Sequence, residues 1–514
     1  MTKYFTLILS LILSLVLINQ TNATSWYVHP DSTLNTIQAG LDSASAGDTV
    51  LVAPGTYEET IIWPSTPGID LISELGPDVT VIDANGAGRV ITMAQYLVQQ
   101  TVIDGFKIMN GWATGTSPDD YGGGIYCLNT SPTIRNNIIR DNSGYSRAGG
   151  IYCENSNPLI IGNIIRDNGT SGRGGGISCY NGANSSIREN YFCNNSGVNG
   201  GAIDCYISSH ASIQHNQIDS NNAVSGGGIF VGYANAQSWP SIHYNNISGN
   251  VSWGIYCNNY SHSPHYPQLQ AQDNWWGHPV GPDSGDGASG PIDYDPWLKE
   301  EIVFDIAVIS IGAPPDFVHP GSTYTPQISV RNNCNYNYPI SFFTAKCSID
   351  GYQDYVRINQ SIPQDSTMEV TFADWVAPSE YPVSYLMTVL LFYAVDHTAA
   401  NDSISKEVQC NGIEDSEVLS WPSSFALFQN YPNPFNPTTQ IEFLLSKSGH
   451  IKIEIFNTLG QKVSTVVDQY METGHRLVEW DGKDDLGKEV ASGIYFYRIK
   501  TPGFFQTKKM VLLR

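Results

Sequence analysis

The stretch Gly122–Cys127, with the sequence GGGIYC, recurs along the chain in close variants. These variants are AGGIYC ending at Cys153, GGGISC ending at Cys179, GGAIDC ending at Cys205, GGGIFV ending at Val231 and WGIYC ending at Cys257. Their isoleucines stand at positions 125, 151, 177, 203, 229 and 255, so each step is 26 residues. Self-similarity at such a fixed period is typical of repeat architectures, and it decides the fold before any other signal.

A second motif follows the first in each copy, in the frame I-x-x-N-x-[I/F]-x-x-N. Its copies are IRNNIIRDN from Ile134, IIGNIIRDN from Ile160, IRENYFCNN from Ile187, IQHNQIDSN from Ile213 and IHYNNISGN from Ile242. Alternating apolar residues separated by Gly, Asn and Ser indicate short strands and turns. Because a 26-residue unit cannot bury its apolar face alone, its strands must stack on those of the next copy. The two motifs therefore predict a right-handed parallel β-helix.

Stacking one copy per turn places equivalent residues in columns, with about 4.8 Å between neighbouring turns. The repeated isoleucines are expected to form one internal column, and the cysteines two positions later share their inward side. These inward cysteines are Cys127, Cys153, Cys179, Cys205 and Cys257. A ladder of side-chain amides is expected at one turn, formed by Asn137, Asn163, Asn190, Asn216 and Asn245. A leucine-rich repeat is disfavoured, because the unit has no leucine-rich strand and has a second Gly-led strand.

The β-helix is predicted to span residues 24–298. Ile37, Leu41 and Ala44 lie on one face of a short predicted helix, which would cover the open end of the stack. Less regular turns follow, and the segment IDYDPWL at 292–298 is interpreted as the closing piece. From Val50 to Trp276 there is room for about nine turns, which gives a length of roughly 40 Å.

Residues 1–23 have the features of a signal peptide, namely Lys3, an apolar run from Phe5 to Ile18 and small residues up to Ala23. No segment is long enough for a transmembrane helix. The sequence thus predicts export through the periplasm to the medium or to the outer cell surface. The net charge of −23 argues against nucleic acid as a partner. Export permits disulfides, although buried free thiols are favoured for the repeat cysteines.

The sequence pattern changes after Leu298. Residues 302–411 contain short strands broken by Pro and Gly turns, which predicts a β-sandwich. Cys334, Cys347 and Cys410 lie in this region, and a disulfide between two of them is one alternative to three free thiols. Residues 412–424 are predicted to be a linker, and residues 425–514, which begin FALFQNYPNPFNPTTQIEF, are predicted to form a second small sandwich.

Three segments carry family resemblances. TIQAGLDSASAGDTVLVAPGTYEE at 36–59, with the GGGIYC repeats, resembles the pectin-lyase-like parallel β-helix proteins of many cell surfaces. Residues 302–411 resemble immunoglobulin-like adhesion modules, and residues 425–514 resemble the type A sorting domain of the type IX secretion system. The implied fold class is all-β, a right-handed parallel β-helix followed by two immunoglobulin-like β-sandwich domains. The sorting domain implies contact with the type IX secretion machinery, then release or attachment at the surface.

Outward-facing residues of the repeat suggest a binding surface. The first outward column reads Tyr126, Tyr152, Ser178, Asp204, Phe230 and Tyr256, and the second reads Leu128, Glu154, Tyr180, Tyr206, Gly232 and Asn258. Aromatic rings at the spacing of successive turns predict an exposed platform for sugar rings. The predicted ligand-binding residues are Tyr126, Tyr152, Tyr180, Tyr206, Phe230 and Tyr256. The alternative is that tyrosine simply suits a β-surface and stacks on itself across strands.

Glu154 and Asp204 are the only carboxylates in these two columns, and so the candidate catalytic residues. They stand two turns apart, roughly 9–10 Å, near the upper limit for the acid and base of an inverting glycosidase. The paired-aspartate, Gly-His-Gly and Arg-x-Lys motifs of the polygalacturonase family are missing. The leading prediction is therefore non-catalytic binding of polysaccharide or another cell-surface ligand, with polysaccharide or a cell-surface glycan as the expected partner. The alternative is a polysaccharide lyase or glycoside hydrolase acting on the aromatic face.

Neither a metal site nor a cofactor is predicted. His262, His265 and His278 cluster near the last turn, but their spacing fits no metal frame. The aspartate-rich segment 283–295 lacks the spacing of an EF-hand loop, so calcium stays an open alternative there.

Overall fold

The structure is a computed structural model that describes residues 23–94, 97–98, 100–232, 238–258, 268–283, 286–379, 383–410, 425–501 and 504–513. The chain divides into two compact units, Met1–Gly412 and Ile413–Arg514. All but the last residue of the predicted signal peptide, and the whole predicted linker 412–424, lie outside the described residues.

The β-helix is built from parallel sheets to which each turn adds one strand. The first sheet consists of Ser25–Val28, Thr49–Val52, Asp70–Ser73, Val102–Asp104, Thr133–Arg135, Leu159–Ile161, Ser186–Arg188, Ser212–Gln214 and Ser241–His243. The second sheet consists of Gly55–Glu58, Thr80–Asp83, Lys107–Met109, Ile138–Arg140, Ile164–Arg166, Tyr191–Cys193, Gln217–Asp219 and Asn246–Ser248.

The third sheet contains the GGGIYC strands, and a fourth, shorter sheet lies between the second and the third along the chain. The third sheet consists of Ile61–Ile62, Ile91–Met93, Ile125–Leu128, Ile151–Glu154, Ile177–Tyr180, Ile203–Tyr206, Ile229–Gly232, Ile255–Asn258 and Ala288–Ser289. The fourth consists of Trp112–Ala113, Ser143–Gly144, Gly169–Thr170, Ser196–Asn199 and Asn222–Ser225. Leu269–Gln270 and Ile292–Asp293 pair near the end of the β-helix.

The predicted internal columns are confirmed. Ile125 pairs with Ile151 and Ile151 with Ile177, and the same register continues to the isoleucine at 255. All six isoleucines are fully buried in one apolar core with the inward cysteines. Contact with the Cys127 thiol and burial raise the pKa of Cys153, so this thiol stays protonated. The prediction of a parallel β-helix from the 26-residue period is thus correct.

The predicted asparagine ladder is also confirmed, and it is longer than predicted. Asn137 donates from its side-chain amide to Oδ1 of Asn163 at 3.1 Å, and each later member does the same to the next. The ladder gains a sixth member, because Asn245 donates to Asn274 at 3.0 Å. A second ladder, which the sequence analysis did not assign, contains Asn142, Asn168, Asn195, Asn221 and Asn250, and ends on the carboxylate of Asp286.

The predicted end-covering helix is α1, Ile37–Ser43. Thr36 caps its first turn, since its hydroxyl oxygen accepts from the backbone N–H of Ala39 at 3.2 Å. Ile37 and Leu41 are buried in the core of the β-helix. The strand Ser25–Val28 precedes α1 and pairs with Thr49–Val52, so one strand lies upstream of Val50, the residue from which the turns were counted.

Two sheets follow the β-helix and enclose a core of their own; their strands pair antiparallel, except that Phe317–Val318 pairs in parallel with Ser403–Cys410. One contains Ile306–Ala313, Gln327–Asn332 and Thr367–Thr371; the other contains Phe317–Val318, Ser403–Cys410, Val383–Phe392, Phe343–Ile349 and Tyr352–Ile358. Thr323–Tyr324 pairs with Trp375–Val376, and Ala399–Asn401 is a 3-10 turn. Cys334, Cys347 and Cys410 are buried free thiols. We call this region the middle sandwich.

The C-terminal unit is a second pair of antiparallel sheets. One contains Ala426–Leu427, Thr439–Leu445 and Gly474–Trp480; the other contains Lys462–Met471, Gly449–Asn457, Gly493–Thr501 and Phe504–Leu512. Its core includes Phe443, Ile453 and Tyr497, all fully buried. The all-β prediction, with antiparallel sheets after the β-helix, is therefore correct.

The middle sandwich packs against the β-helix through a buried charge. The carboxylate of Asp104, at the end of a first-sheet strand, is fully buried. Arg135 from the next turn donates to it at 2.8 Å, and Arg357 from the middle sandwich pairs with it at 3.0 Å. Two guanidinium groups thus neutralise one buried carboxylate, which meets the requirement that a buried charge be paired.

Further contacts follow the same edge of the β-helix from turn to turn. They are Asn136 with Tyr355 at 2.8 Å, Glu189 with Ser341 at 2.8 Å, the rings of His215 and Tyr338 with centroids 3.9 Å apart, and Asn246 with the carbonyl of Ile302 at 2.7 Å. Phe342 lies against Gly162, where a Cβ would stand only 3.0 Å from the ring. The middle sandwich therefore contacts several consecutive turns.

Candidate ligand-binding face

The first outward column lies outside the main core, as its parity predicts, but it is not exposed. Tyr126 and Tyr152 are buried in a small separate cluster, and Phe230 is also buried. Of the predicted aromatic residues in this column, Tyr256 alone is partly exposed. The prediction of an exposed aromatic platform is therefore wrong for Tyr126, Tyr152 and Phe230.

The loop that precedes each GGGIYC strand explains this burial. Gly122, with φ of 67°, lies so close to the next turn that a Cβ there would stand 2.9 Å from the Cβ of Tyr152. Gly174 has φ of 70° and lies as close to Ser178, where the distance would be 2.8 Å. Because glycine has no side chain, the loop can lie directly on the outward column. The first glycine of the repeat thus serves to cover that column.

The aromatic rings stack in pairs along the β-helix. Tyr126 and Tyr152 have ring centroids 5.3 Å apart at an interplanar angle of 16°. Tyr180 and Tyr206 in the second outward column are 6.2 Å apart at 17°, and both are half-buried. Ring stacking across strands, the alternative weighed for these tyrosines, is therefore present. Of the predicted ligand-binding residues, those that reach the surface are Tyr180, Tyr206 and Tyr256.

A row of arginines lies against these rings. Arg147 and Arg173 occupy the position just before the AGGIYC and GGGISC motifs of successive copies, and they pair as parallel bridges. The guanidinium of Arg147 lies 4.0 Å from the ring centroid of Tyr180, and that of Arg173 lies 3.8 Å from Tyr206. These distances are typical of cation–π contacts. Sequence analysis missed both arginines, although the recurring position before the glycines could have shown them.

The two predicted catalytic carboxylates are held by neighbouring side chains. Asp204 is fully buried, accepts from Arg173 at 3.3 Å and from the Ser178 hydroxyl at 3.1 Å, and burial raises its pKa to about 6. Glu154 is half-buried and accepts from the hydroxyl of Tyr152 at 2.9 Å. The strand register places the two residues two turns apart, as predicted. The structure does not bring Asp204 to the surface.

Two polar atoms in the same cluster lack a hydrogen-bond partner among the described residues. They are Nη1 of Arg147 and Oδ1 of Asp120, and both atoms are buried. The other carboxylate oxygen of Asp120 accepts from the hydroxyl of Ser146. A buried polar atom without a partner costs free energy, which a ligand group can offset by hydrogen bonding. One buried donor and one buried acceptor are thus left without a partner among the described residues.

The candidate metal residues do not come together in the part of the chain that can be described. His262 and His265 lie outside it, and His278 accepts from the backbone N–H of Val280 at 3.2 Å. Within the described ranges, no group of three or more His, Cys, Asp or Glu side chains is placed to hold a metal ion. In the segment 283–295, Asp286 is engaged by Asn250 at the end of the second ladder.

Two family models match the chain. Residues 90–274 match the right handed beta helix region, and residues 429–513 match the secretion system C-terminal sorting domain. The chain is thus a right-handed parallel β-helix protein. More narrowly, it carries the C-terminal sorting domain of the type IX secretion system, which indicates an exported protein that is secreted or held at the cell surface. No helix among the described residues has the length and apolar character needed to span a bilayer.

Comparison with solved structures gives only distant likenesses. The CARDB domain of a Pyrococcus furiosus protein in complex with di-metal ions is 14% identical, with 22% of this chain and 94% of that chain covered and a TM-score of 0.17. Dimeric latent PorU from Porphyromonas gingivalis is 14% identical, with 45% of this chain and 22% of that chain covered and a TM-score of 0.19. PorZ from the same organism is 18% identical, with 25% and 15% covered and a TM-score of 0.14. These scores support no functional argument, and no curated protein matches the sequence.

Proposed function

We propose that this exported protein binds polysaccharide or another cell-surface glycan through the third sheet of its β-helix, without cleaving it. The observation that carries the proposal is the layer of Arg147 and Arg173 on the half-buried rings of Tyr180 and Tyr206. Tyr180 and Tyr206 are the proposed direct contacts. The stacked pair Tyr126 and Tyr152, and the pair Phe230 and Tyr256, support the sheet beneath and beside them.

The chemistry of this face suits a ligand rich in hydroxyl groups. The half-buried residues Arg147 and Arg173 offer guanidinium donors, and a sugar hydroxyl can accept from them. Stacking on tyrosine fixes each guanidinium before a ligand arrives, which lowers the entropy lost on binding. A guanidinium also recognises a carboxylate if the glycan contains uronic acid units.

The lyase or hydrolase alternative rests on Asp204. Its pKa of about 6 lies nearer to the range of a general acid than that of an ordinary aspartate. Against it stands the complete burial of Asp204 beside Arg173, because a catalytic acid must come within hydrogen-bond reach of its substrate. Non-catalytic binding is therefore the function that the geometry supports better.

A glycan array probed with the full chain tests the proposal. We expect at least one glycan to be retained and Arg147→Ala to weaken its binding about tenfold, the effect of losing ~1.4 kcal/mol. Arg140→Ala is the matched control, because Arg140 lies on the second sheet and forms a partly exposed ion pair with Asp141. Retention of no glycan, or an equal loss in both variants, would refute the proposal.

Incubation of the retained glycan with the protein separates binding from turnover. We expect no unsaturated ends and no new reducing ends. If such products form, and Asp204→Asn or Glu154→Gln abolishes them while binding persists, the enzyme alternative replaces the proposal.

A further inference from the structure

The fourth sheet presents an exposed face that carries no charge. Its first outward column, in register, is Trp112, Ser143, Gly169, Ser196, Asn222 and Val251. Two positions further along each of these segments stand Thr114, Tyr145, Ser171, Val198, Val224 and Trp253. We call these twelve residues the fourth-sheet face. All of its members except Gly169 are exposed, and none is charged, although the chain as a whole carries −23.

Aromatic rings mark the two ends of this face. Trp112 is 59% exposed and Tyr145 is 62% exposed at one end, and Trp253 is 43% exposed at the other. The ring of Trp253 lies against the backbone of Gly287, where a Cβ would stand 2.6 Å from it, so this ring is held in place. Between the ends lie small or polar residues and two valines, namely Ser143, Gly169, Ser171, Ser196, Asn222, Val198 and Val224.

This face differs from the outward columns of the second sheet. There, Arg140 pairs with Asp141 and Arg166 with Asp167 in successive turns, as in an ordinary solvated surface. Single exposed apolar residues are common on protein surfaces and need no explanation. Six exposed apolar side chains gathered on one uncharged face, on five of its six turns, are instead typical of an interaction surface.

We propose that the fourth-sheet face binds a neutral polysaccharide along the axis of the β-helix. The absence of charge on the face offers no ion pair to an acidic glycan, a phosphate or a charged protein. Aromatic rings can lie on the apolar faces of sugar rings, while serine, threonine and asparagine can bond to sugar hydroxyls. The step of about 4.8 Å between turns is close to the length of one hexose unit in an extended chain, so each successive sugar lies over one turn.

A second copy of this chain fits the face less well. If two copies met face to face, the bulky rings at their ends would oppose one another, and the small residues at the centre would leave a gap. Close packing is what a stable protein interface requires. Two copies of net charge −23 would also repel each other. The polysaccharide is therefore the occupant that the observations favour.

This proposal is independent of the one for the third sheet, because it uses other residues on another sheet. The test is a sedimentation-depletion assay of the full chain with insoluble cellulose, insoluble mannan and insoluble xylan. We expect at least one of these polymers to retain the protein, and Trp112→Ala or Trp253→Ala to weaken retention about tenfold each. Ser196→Arg, which places a charge at the centre of the face and leaves every ring intact, should weaken it similarly.

Two controls locate the effect. Tyr470→Ala removes an aromatic ring that is 68% exposed in the C-terminal unit, and it should leave retention unchanged. Arg140→Ala, which removes an ion pair on the second sheet outside both proposed faces, should also leave it unchanged. Because Trp112→Ala and Trp253→Ala leave every third-sheet residue intact, failure of the third-sheet proposal is distinguishable from failure of this one. Failure of all three polymers to retain the protein overturns the proposal, as does normal retention of both tryptophan variants. If sedimentation velocity shows a dimer that Trp112→Ala dissociates, the occupant is a second copy instead.

Discussion

Replacing Asn163 with alanine tests how much the first asparagine ladder stabilises the β-helix. Asn163 is fully buried, and its side-chain amide donates to the carbonyls of Ile134 and Ile161 at 2.9 and 3.0 Å and to Asn190 at 2.9 Å. Its Oδ1 accepts from the backbone N–H of Asn137 at 3.0 Å and from the side-chain amide of Asn137 at 3.1 Å. The substitution removes all five bonds at once.

The expected loss of stability depends on which hydrogen bonds the partners of Asn163 retain after the substitution. The side-chain amide of Asn137 still donates to Ile103 at 3.0 Å, and Oδ1 of Asn190 still accepts from the backbone of residue 163 at 2.9 Å. The backbone N–H of Asn137 loses its acceptor, at a cost of about 1–3 kcal/mol for a buried donor, and the other four bonds contribute about 0.5–1 kcal/mol each. The free energy of opening the surrounding turns should therefore fall by about 3–7 kcal/mol.

Hydrogen–deuterium exchange of the full chain, read by mass spectrometry, measures this locally, since several domains do not unfold as one two-state system. Peptides from the strands Thr133–Arg135 to Tyr191–Cys193 should lose protection, and peptides from the C-terminal unit should not. Asn222→Ala is the matched control, because Asn222 lies on the exposed fourth-sheet face, where a substitution is expected to stay within about 0.5 kcal/mol. A loss at Asn163 no larger than that of the control would refute the reasoning.

Two further perturbations probe the middle sandwich. Burial and two neighbouring aspartates raise the pKa of Asp402 to about 7, so its carboxyl lowers stability as the pH rises from about 4 to about 7. Asp402→Asn should therefore stabilise the protein at pH 8 by about 1 kcal/mol, after allowance for the partial exposure of Asp402, and raise its melting temperature. At pH 4 the same substitution should leave the melting temperature unchanged. The control Asp350→Asn should change the melting temperature at neither pH. Arg357→Ala removes one of the two cations that pair with Asp104 and leaves Arg135 in place. The protection of the edge strand Tyr352–Ile358 in hydrogen exchange should therefore fall by about 1–3 kcal/mol. Unchanged protection of this strand would contradict the conclusion that Arg357 holds the middle sandwich against the β-helix.

The internal structure of the β-helix was predictable because each inward position needs the same kind of residue in every turn. The isoleucines at a period of 26 residues and the first asparagine of the second motif show this directly. The second ladder was equally visible in the last asparagine of the frame, and its assignment needed only the same argument. Periodicity therefore contains most of the information about the core and its turns.

The burial of the first outward column was not predictable from the same pattern. Alternation along a strand tells which side of the sheet Tyr152 occupies, but not what lies on that side. The loop containing Gly122 belongs to the preceding turn, and its path over Tyr152 depends on the whole coil being closed. The contact between Asp104 and Arg357 is equally hidden, since it joins two domains whose patterns are unrelated.

The string of contacts between the middle sandwich and the β-helix has an evolutionary consequence. A solenoid of equal copies can lengthen or shorten by duplication or deletion of a whole copy, because each copy meets only its neighbours. Here the middle sandwich contacts a different side chain on successive turns, among them Asp104, Glu189 and His215. Removing one copy would shift every later turn by one step against it and separate these pairs. Related genes should therefore keep the same number of repeat copies along the part of the β-helix that the middle sandwich contacts. The number of copies should vary only outside that part.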